Sequence, residues 1–330
     1  MMMSESKIRA IDLFCGAGGS SYGATQAGVE MVAGFDVWDL AIKAYQTNFP
    51  KAKVYQDDLR KLSTDKIKMI KSEIGNVDLI LASPECTNHS RAKGAAEKDE
   101  ASRETAFEVI RFANEFKPPW LIIENVVEMQ SWNRYNELLE MLWDLKYYVR
   151  KVILNSKNFG VPQSRQRLFL LCSLSGNTSG QITNLDGPKP VSTIIDDTGK
   201  YSSSLLRKDG RAENTILSAN RAINELGSDL PFLLIYYSSG RRGNGGWQKV
   251  SDPLGTITTV DRFAYVFPEN KNHRMRMLQP EELKLAMGYK SDYKLDVIDG
   301  ITRRDRIKLM GNGVCPPVME AIIRSMITNG

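Results

Sequence analysis

Two textures of apolar and polar positions divide the chain. Up to about Ser173, short apolar runs alternate with segments of helical periodicity. Ile8 to Phe14, Met31 to Asp36, Lys53 to Tyr55, Val77 to Ala82, Trp120 to Glu124, Tyr148 to Leu154 and Arg167 to Cys172 are predicted strands. Gly19 to Gly28, Ala41 to Asn48, Thr64 to Ser72, Ala101 to Phe116 and Tyr135 to Leu145 read as helices, and Pro118-Pro119 stops the fourth of them. Such alternation predicts an α/β fold with a mostly parallel sheet covered by helices. Beyond Ser173 the pattern loosens. Gly, Ser, Asn and Thr are dense from Ser173 to Thr183 and from Tyr201 to Arg211. The remaining β-like runs are short: Phe232 to Tyr237, Gly255 to Thr259 and Phe263 to Phe267. A smaller, mostly irregular or β domain is expected there, with no internal repeat. From Val314 to Ile327 a helical apolar pattern returns, suited to packing back on the first domain. The expected division is therefore 1–175, 176–290 and 291–330.

Composition adds bounds rather than a function. A chain of 330 residues favours two domains, and 42% hydrophobic with 25% charged residues is ordinary for a globular protein. No apolar run approaches the roughly 18 residues of a membrane span. The first residues lack the apolar stretch of a signal peptide, so a cytoplasmic protein is expected. The net charge of +5 is compatible with polyanion binding and equally with a solvated basic surface. Cys15, Cys86, Cys172 and Cys315 lie far apart and only two histidines, His89 and His273, are present, so no metal site is expected.

Candidate chemistry collects at predicted strand ends, where open α/β sheets bind ligands. Asp12-Leu13-Phe14-Cys15-Gly16-Ala17-Gly18-Gly19 follows the first strand and opens a helix. Its glycines allow a tight turn and close approach to a ligand. The dinucleotide fingerprint is incomplete, because Ser21 stands where the third glycine would be. Asp36 ends the second strand, where a carboxylate can accept from ribose hydroxyls. Asp58 follows the third and can accept from an adenine amino group or cap a helix. Cys86 lies just beyond the Val77 strand, as a nucleophile or a small buried hydrophobe. Glu124 closes an apolar strand and needs a partner if buried. Arg165 and Arg167, two apart on an extended segment, point the same way and can grip a phosphate or carbonyl oxygen, or line a solvated edge.

Taken in order, these motifs resemble those of cytosine-carbon-5 DNA methyltransferases of the bacterial type. The likeness runs from the Phe14-to-Gly19 turn through Asp36, Asp58, the Cys86 loop, Glu124-Asn125-Val126 and Gln163-x-Arg165-x-Arg167. It continues through Arg276-Met277-Leu278-Gln279-Pro280-Glu281-Glu282, Met287-Gly288-Tyr289 and Gly311-Asn312-Gly313-Val314. The resemblance implies a Rossmann-like S-adenosylmethionine-dependent methyltransferase sheet in 1–175, a target-recognition domain in 176–290 and a C-terminal return in 291–330. It implies S-adenosylmethionine as cofactor, with Phe14, Gly16, Gly18, Asp36, Val37, Asp58, Leu59, Ser83, Pro84, Asn312 and Val314 around it. Cys86 would add to cytosine carbon 6, turning a poor nucleophile at carbon 5 into an enamine. Glu124, with a raised pKa, would hold a proton toward ring nitrogen 3. Arg167 would bind the cytosine carbonyl oxygen, and Arg165 would help order the catalytic loop and substrate. The base must leave the duplex to be reached, and the polar stretch from Thr87 to Thr105 is long enough to close as a lid.

One departure stands beside the nucleophile. The family pattern is Pro-Cys-Gln, and this chain has Glu85-Cys86-Thr87, with Pro84 one place earlier and His89 before Ser90. A neighbouring carboxylate disfavours a thiolate, so Glu85 either contacts substrate or pairs with Arg91 or Lys93, or else is a tolerated loop variant. For DNA, Ser90, Arg241, Arg242, Trp247, Gln248 and Arg262 are the candidates. They come from the nucleophile loop, from the basic, glycine-rich run Ser238 to Gln248 and from a second loop, Thr258 to Phe263. Double-stranded DNA is the expected partner of a monomer serving restriction-modification or phage defence. Two other readings keep the fold: an RNA cytosine methyltransferase, and a DNA-binding protein whose altered loop has lost catalysis. A nicotinamide oxidoreductase leaves Cys86, Glu124 and the arginine pair unexplained.

Overall fold

The computed structural model describes residues 7–85, 104–176, 178, 180–183, 186–236, 246–296 and 298–327. In the first half, strands β1 (Arg9–Leu13), β2 (Glu30–Asp36), β3 (Lys53–Gln56), β4 (Leu79–Ala82) and β5 (Trp120–Asn125) alternate with helices α1 (Gly19–Gln26), α2 (Asp39–Asn48), α3 (Thr64–Ile74) and α4 (Thr105–Phe116). Helix α5 (Tyr135–Asp144) then leads to β6 (Tyr148–Asn155) and β7 (Gln166–Ser173). The seven strands form one sheet in the order β3-β2-β1-β4-β5-β7-β6. The first five run parallel, while β7 is antiparallel to both β5 and β6.

Local chemistry accounts for these elements. Ser63 caps α3 by accepting from the Lys66 N–H at 3.2 Å, and Ile67, Ile70 and Ile74 form its buried stripe. Helix α4 buries Val109, Phe112, Ala113 and Phe116 and ends at Lys117, in left-handed geometry, before the two prolines. The central strands are apolar on both faces because helices cover both. One core joins the sheet to α3, α4 and α5, and another joins it to α1, α2 and the C-terminal helix.

The second half is more ordered than its composition suggests. Strands β8 (Ser204–Leu205), β9 (Phe232–Ile235), β10 (Trp247–Lys249), β11 (Phe263–Glu269) and β12 (Asn272–Met277) form an antiparallel sheet in the order β10-β9-β11-β12-β8. Helix α6 (Glu213–Leu226) buries Ala219 and Ala222 in the same core as Phe232 and Trp247. The expected strand over Gly255 to Thr259 does not form. There, Leu254 makes a single bridge to Gln163, and the Gln163 side chain accepts from the Ile257 N–H at 2.9 Å. Side-chain bonding to the backbone replaces a ladder, which periodicity cannot register.

Helices α7 (Pro280–Ala286), α8 (Arg303–Asn312) and α9 (Pro316–Ile327) complete the chain. Gln279 and Glu282 cap α7 reciprocally, and Glu282 also takes a bidentate pair of hydrogen bonds from buried Arg276 at 2.7 and 2.8 Å. Helix α9 lies on α1, so close that a Cβ on Gly23 would stand 2.4 Å from the Pro316 carbonyl oxygen. The C-terminus thus returns to the first strand-helix turn.

Candidate active site

A cavity of about 450 Å³ opens at the carboxyl ends of β1, β2, β3, β4 and β5. Parallel strands place every one of those ends on one edge, so residues far apart in sequence converge there. The turn after β1 forms one wall. Phe14 and Gly16 both adopt positive φ, 60° and 53°, a geometry that costs a phenylalanine and suits a glycine. Gly19 leaves no room for a side chain, since a Cβ would lie 2.3 Å from the Val314 carbonyl oxygen. The glycine turn and the C-terminal segment are therefore pressed together.

Asp36 accepts hydrogen bonds from the Gly16 and Trp38 N–H groups, each at 2.9 Å. Burial pushes its carboxyl above the usual range, with those N–H groups opposing. Val37 beside it is 66% exposed, an apolar side chain left open at the cavity. Trp38 stacks under the Lys308 ammonium at 4.3 Å. Phe14, Gly16, Asp36, Val37, Asp58, Leu59, Ser83, Pro84, Asn312 and Val314 all line this space. Gly18 does not. It packs behind the turn on Phe49, Tyr45 and Tyr293, whose hydroxyl donates to the Ala17 carbonyl. Asp58 lines the cavity, but its carboxylate accepts from the Arg60 N–H at 3.1 Å and pairs with the Arg60 guanidinium at 2.8 Å. It caps a 3-10 turn over Leu59–Lys61, and Arg60 holds its carboxyl below the usual range.

Glu124 enters the cavity from the end of β5 and is buried. Burial raises its carboxyl, while the Arg167 guanidinium, 3.0 Å away, and the Arg165 charge oppose. Asn125 ties this strand end to the next one, donating to the Pro84 carbonyl at 3.2 Å and accepting from Val126 N–H at 2.8 Å. Glu85 follows, exposed on the cavity wall, its N–H donated to the Thr105 hydroxyl at 3.2 Å.

Arg165, expected to help order the catalytic loop and substrate, is turned onto backbone carbonyls. It is 2% exposed and donates to the carbonyls of Ile257 at 3.0 Å, Gly311 at 2.8 Å and Gly313 at 2.9 Å. The guanidinium fork thus braces three backbone segments. Among the recognition candidates, Trp247 is 4% exposed in the β10 core. Gln248 is spent on a turn, donating to Pro253 and accepting from Gly255, each at 3.2 Å. Arg262 donates to the Tyr236 carbonyl at 2.7 Å. Inward alternation on a short strand explains Trp247, which a glycine-rich neighbourhood disguised. Cys86, Ser90, Arg241 and Arg242 lie outside the described residues, as do His89, Arg91 and Lys93 and all but the last two residues of the Thr87 to Thr105 stretch.

Sequence reasoning missed Trp38, Arg60, Thr105 and Lys308 as cavity residues and Asn125 as a brace. Trp38, two residues beyond Asp36, was within reach of the strand-end argument; Lys308 was not, since only the fold brings α8 to this edge. Among the described residues, no cluster of three or more His, Cys, Asp or Glu could hold a metal ion. No helix is long and apolar enough to cross a membrane among those residues.

Comparison with known proteins gives consistent matches. The C-5 cytosine-specific DNA methylase family matches residues 8–328. The chain is 27% identical to Type II methyltransferase M.HindV of Haemophilus influenzae, over 98% of this chain and 97% of that protein. It is 30% identical to Type II methyltransferase M.AgeI of Thalassovita gelatinovora, over 93% of this chain and 70% of that one. The fold superposes on a Spodoptera frugiperda DNMT2 mutant with a TM-score of 0.70 at 17% identity, over 97% of this chain and all of that one (100%).

Proposed function

The chain belongs to the C-5 cytosine-specific DNA methylase family, and from that premise we propose that it methylates carbon 5 of a cytosine flipped out of one short duplex DNA site. Restriction-modification or phage defence is the proposed setting, in keeping with the names of its Type II relatives. The observation that carries this reading is the buried Glu124–Arg167 pair, 3.0 Å apart, at a cavity of about 450 Å³ that Glu124 lines.

The cavity fits the methyl donor the family implies. S-adenosylmethionine would supply an electrophilic methyl group. Asp36 would accept from its ribose hydroxyls with the lone pairs that Gly16 and Trp38 leave. Val37 and Phe14 would flank its adenine, and Asn312 and Val314 would close the pocket from the C-terminal side. Asp58, engaged by Arg60, retains acceptor capacity toward an adenine amino group. The Cys86 thiolate would add to cytosine carbon 6 and leave again when the proton on carbon 5 is removed. Glu124 would hold a proton at ring nitrogen 3, where its raised carboxyl pKa helps it stay protonated. Arg167 would keep Glu124 oriented and donate to the cytosine carbonyl oxygen. Arg165 would act at one remove, holding Gly313 beside the donor while also holding Ile257.

The test is bisulfite sequencing of DNA from a host without cytosine methylation that expresses the protein, with Cys86→Ala as control. Protected cytosines in one sequence context, absent from the control, are expected. No protection from soluble, expressed wild-type protein would overturn the DNA reading, and methylation appearing in host RNA instead would move it to the RNA branch.

A further inference from the structure

Glu85 takes no part in the mechanism above, yet it lines the cavity where the family pattern has a proline. Its N–H is donated to the Thr105 hydroxyl at 3.2 Å, and the residue is exposed and lines the cavity. Among the described residues its carboxylate makes no hydrogen bond or ion pair. The other carboxylates nearby differ. Asp58 is paired with Arg60, Glu124 lies 3.0 Å from Arg167, and Asp36 is engaged by two backbone N–H groups. Asp57 follows β3, at the far edge of the sheet, whereas Glu85 follows β4, the strand beside the β5 that carries Glu124.

We infer that Glu85 makes this pocket selective for the positively charged methyl donor over its neutral, demethylated product. The inference rests on the proposed function in one respect. A methyl group transferred to a base held at Glu124 must be presented from the β4 and β5 side of the cavity. On that reading the sulfonium that carries it would lie nearer Glu85 than Asp57. S-adenosylmethionine bears that positive charge and S-adenosylhomocysteine does not. An unpaired carboxylate near it attracts the first and leaves the second unaffected, which favours donor binding and product release together. Proline at this position supplies no such charge. Solvent around an exposed carboxylate screens the effect, which should be a modest factor.

The experiment is calorimetric titration of the full chain with S-adenosylhomocysteine and with sinefungin, whose protonated amine stands where the donor has its sulfonium. Wild type is expected to prefer sinefungin. The ratio of the two Kd values should fall about threefold to tenfold in Glu85→Gln, which keeps the shape and removes the charge. It should fall similarly in Glu85→Pro, which restores the family residue. Raising the salt concentration should shrink the wild-type ratio and leave that of Glu85→Gln nearly unchanged. Binding of both ligands with a ratio within twofold of wild type in both variants overturns the role of Glu85 and leaves the methyl-donor pocket intact. Failure of wild-type protein to bind either ligand overturns both.

Discussion

At Glu124 burial and a guanidinium act in opposite directions, and burial wins, because the carboxyl remains raised with Arg167 only 3.0 Å away. Asp12 shows the same imbalance without a cation. It is fully buried beneath the glycine turn, accepts from the Ser21 hydroxyl at 2.6 Å, and has a carboxyl pushed up to about 7 by burial. Its Oδ1 has no hydrogen-bond partner, and Ser21 is engaged further by Tyr45 at 2.8 Å. A pKa raised on folding means that the native state holds a proton the unfolded chain gives up near pH 4. This contribution is fully stabilising below that pH and is lost progressively as pH rises to about 7. Asp12→Asn keeps a polar group at the site and removes the titration. Its melting temperature should fall less steeply than that of wild type between pH 5 and pH 7, as followed by circular dichroism in matched buffers; parallel slopes would show that Asp12 ionises freely in the native state. Asp12 was legible as the opening of a strand-end motif. Its isolation was not, since burial on both sheet faces is a property of the packed fold.

Among the elements, the parallel half of the larger sheet was readable because most of its strands are short apolar runs between segments of helical periodicity, with Pro118-Pro119 stopping α4. The smaller sheet was less so. Strand β10 is only three residues long, β8 two, and β12 reads as Asn272-His273-Arg274-Met275-Arg276-Met277 with charges between its apolar positions. Such strands are defined by pairing, β10 with β9, β12 with β11 and β8 with β12, rather than by their own composition. Trp247 illustrates the cost of reading them as loops. Its ring fills the core between α6 and β9, so Trp247→Ala should destabilise the protein by about 3–5 kcal/mol through cavity formation. Urea unfolding would measure that loss. In protein that remains folded, the methylated sequence context should be unchanged; altered context at wild-type stability would mean that Trp247 reads DNA directly. Arg165 teaches the converse. Its spacing from Arg167 was visible, but its three carbonyl partners come from segments at Ile257, Gly311 and Gly313 that only the tertiary fold assembles.

Over the whole molecule, the proposed donor pocket and the candidate recognition loop are joined by a tight backbone contact. A Cβ added to Gly311 would stand 2.4 Å from the Thr258 carbonyl carbon and 2.5 Å from its oxygen. Gly311 immediately precedes Asn312, Gly313 and Val314 in the cavity lining, and Thr258 begins the second candidate recognition loop. Farther along that loop, Asp261 accepts from Arg303 of α8 at 2.6 Å, and Arg303 also donates to the Leu278 carbonyl at 2.8 Å. Displacement of either wall is therefore transmitted to the other through backbone that cannot yield by rotating a side chain. Two ligands bound on the two sides must influence each other by the same factor in both directions. Gly311→Ala forces these segments apart, at an overpacking cost of about 1–3 kcal/mol. Wild-type protein should bind target duplex more tightly with sinefungin present, and sinefungin more tightly with duplex present, by equal factors. Gly311→Ala should bring both factors toward one, while each ligand alone still binds. Fluorescence anisotropy for the duplex and calorimetry for sinefungin would measure the two arms. Retention of the full wild-type factor in a variant that melts earlier would show that this contact supports the fold without linking the two sites.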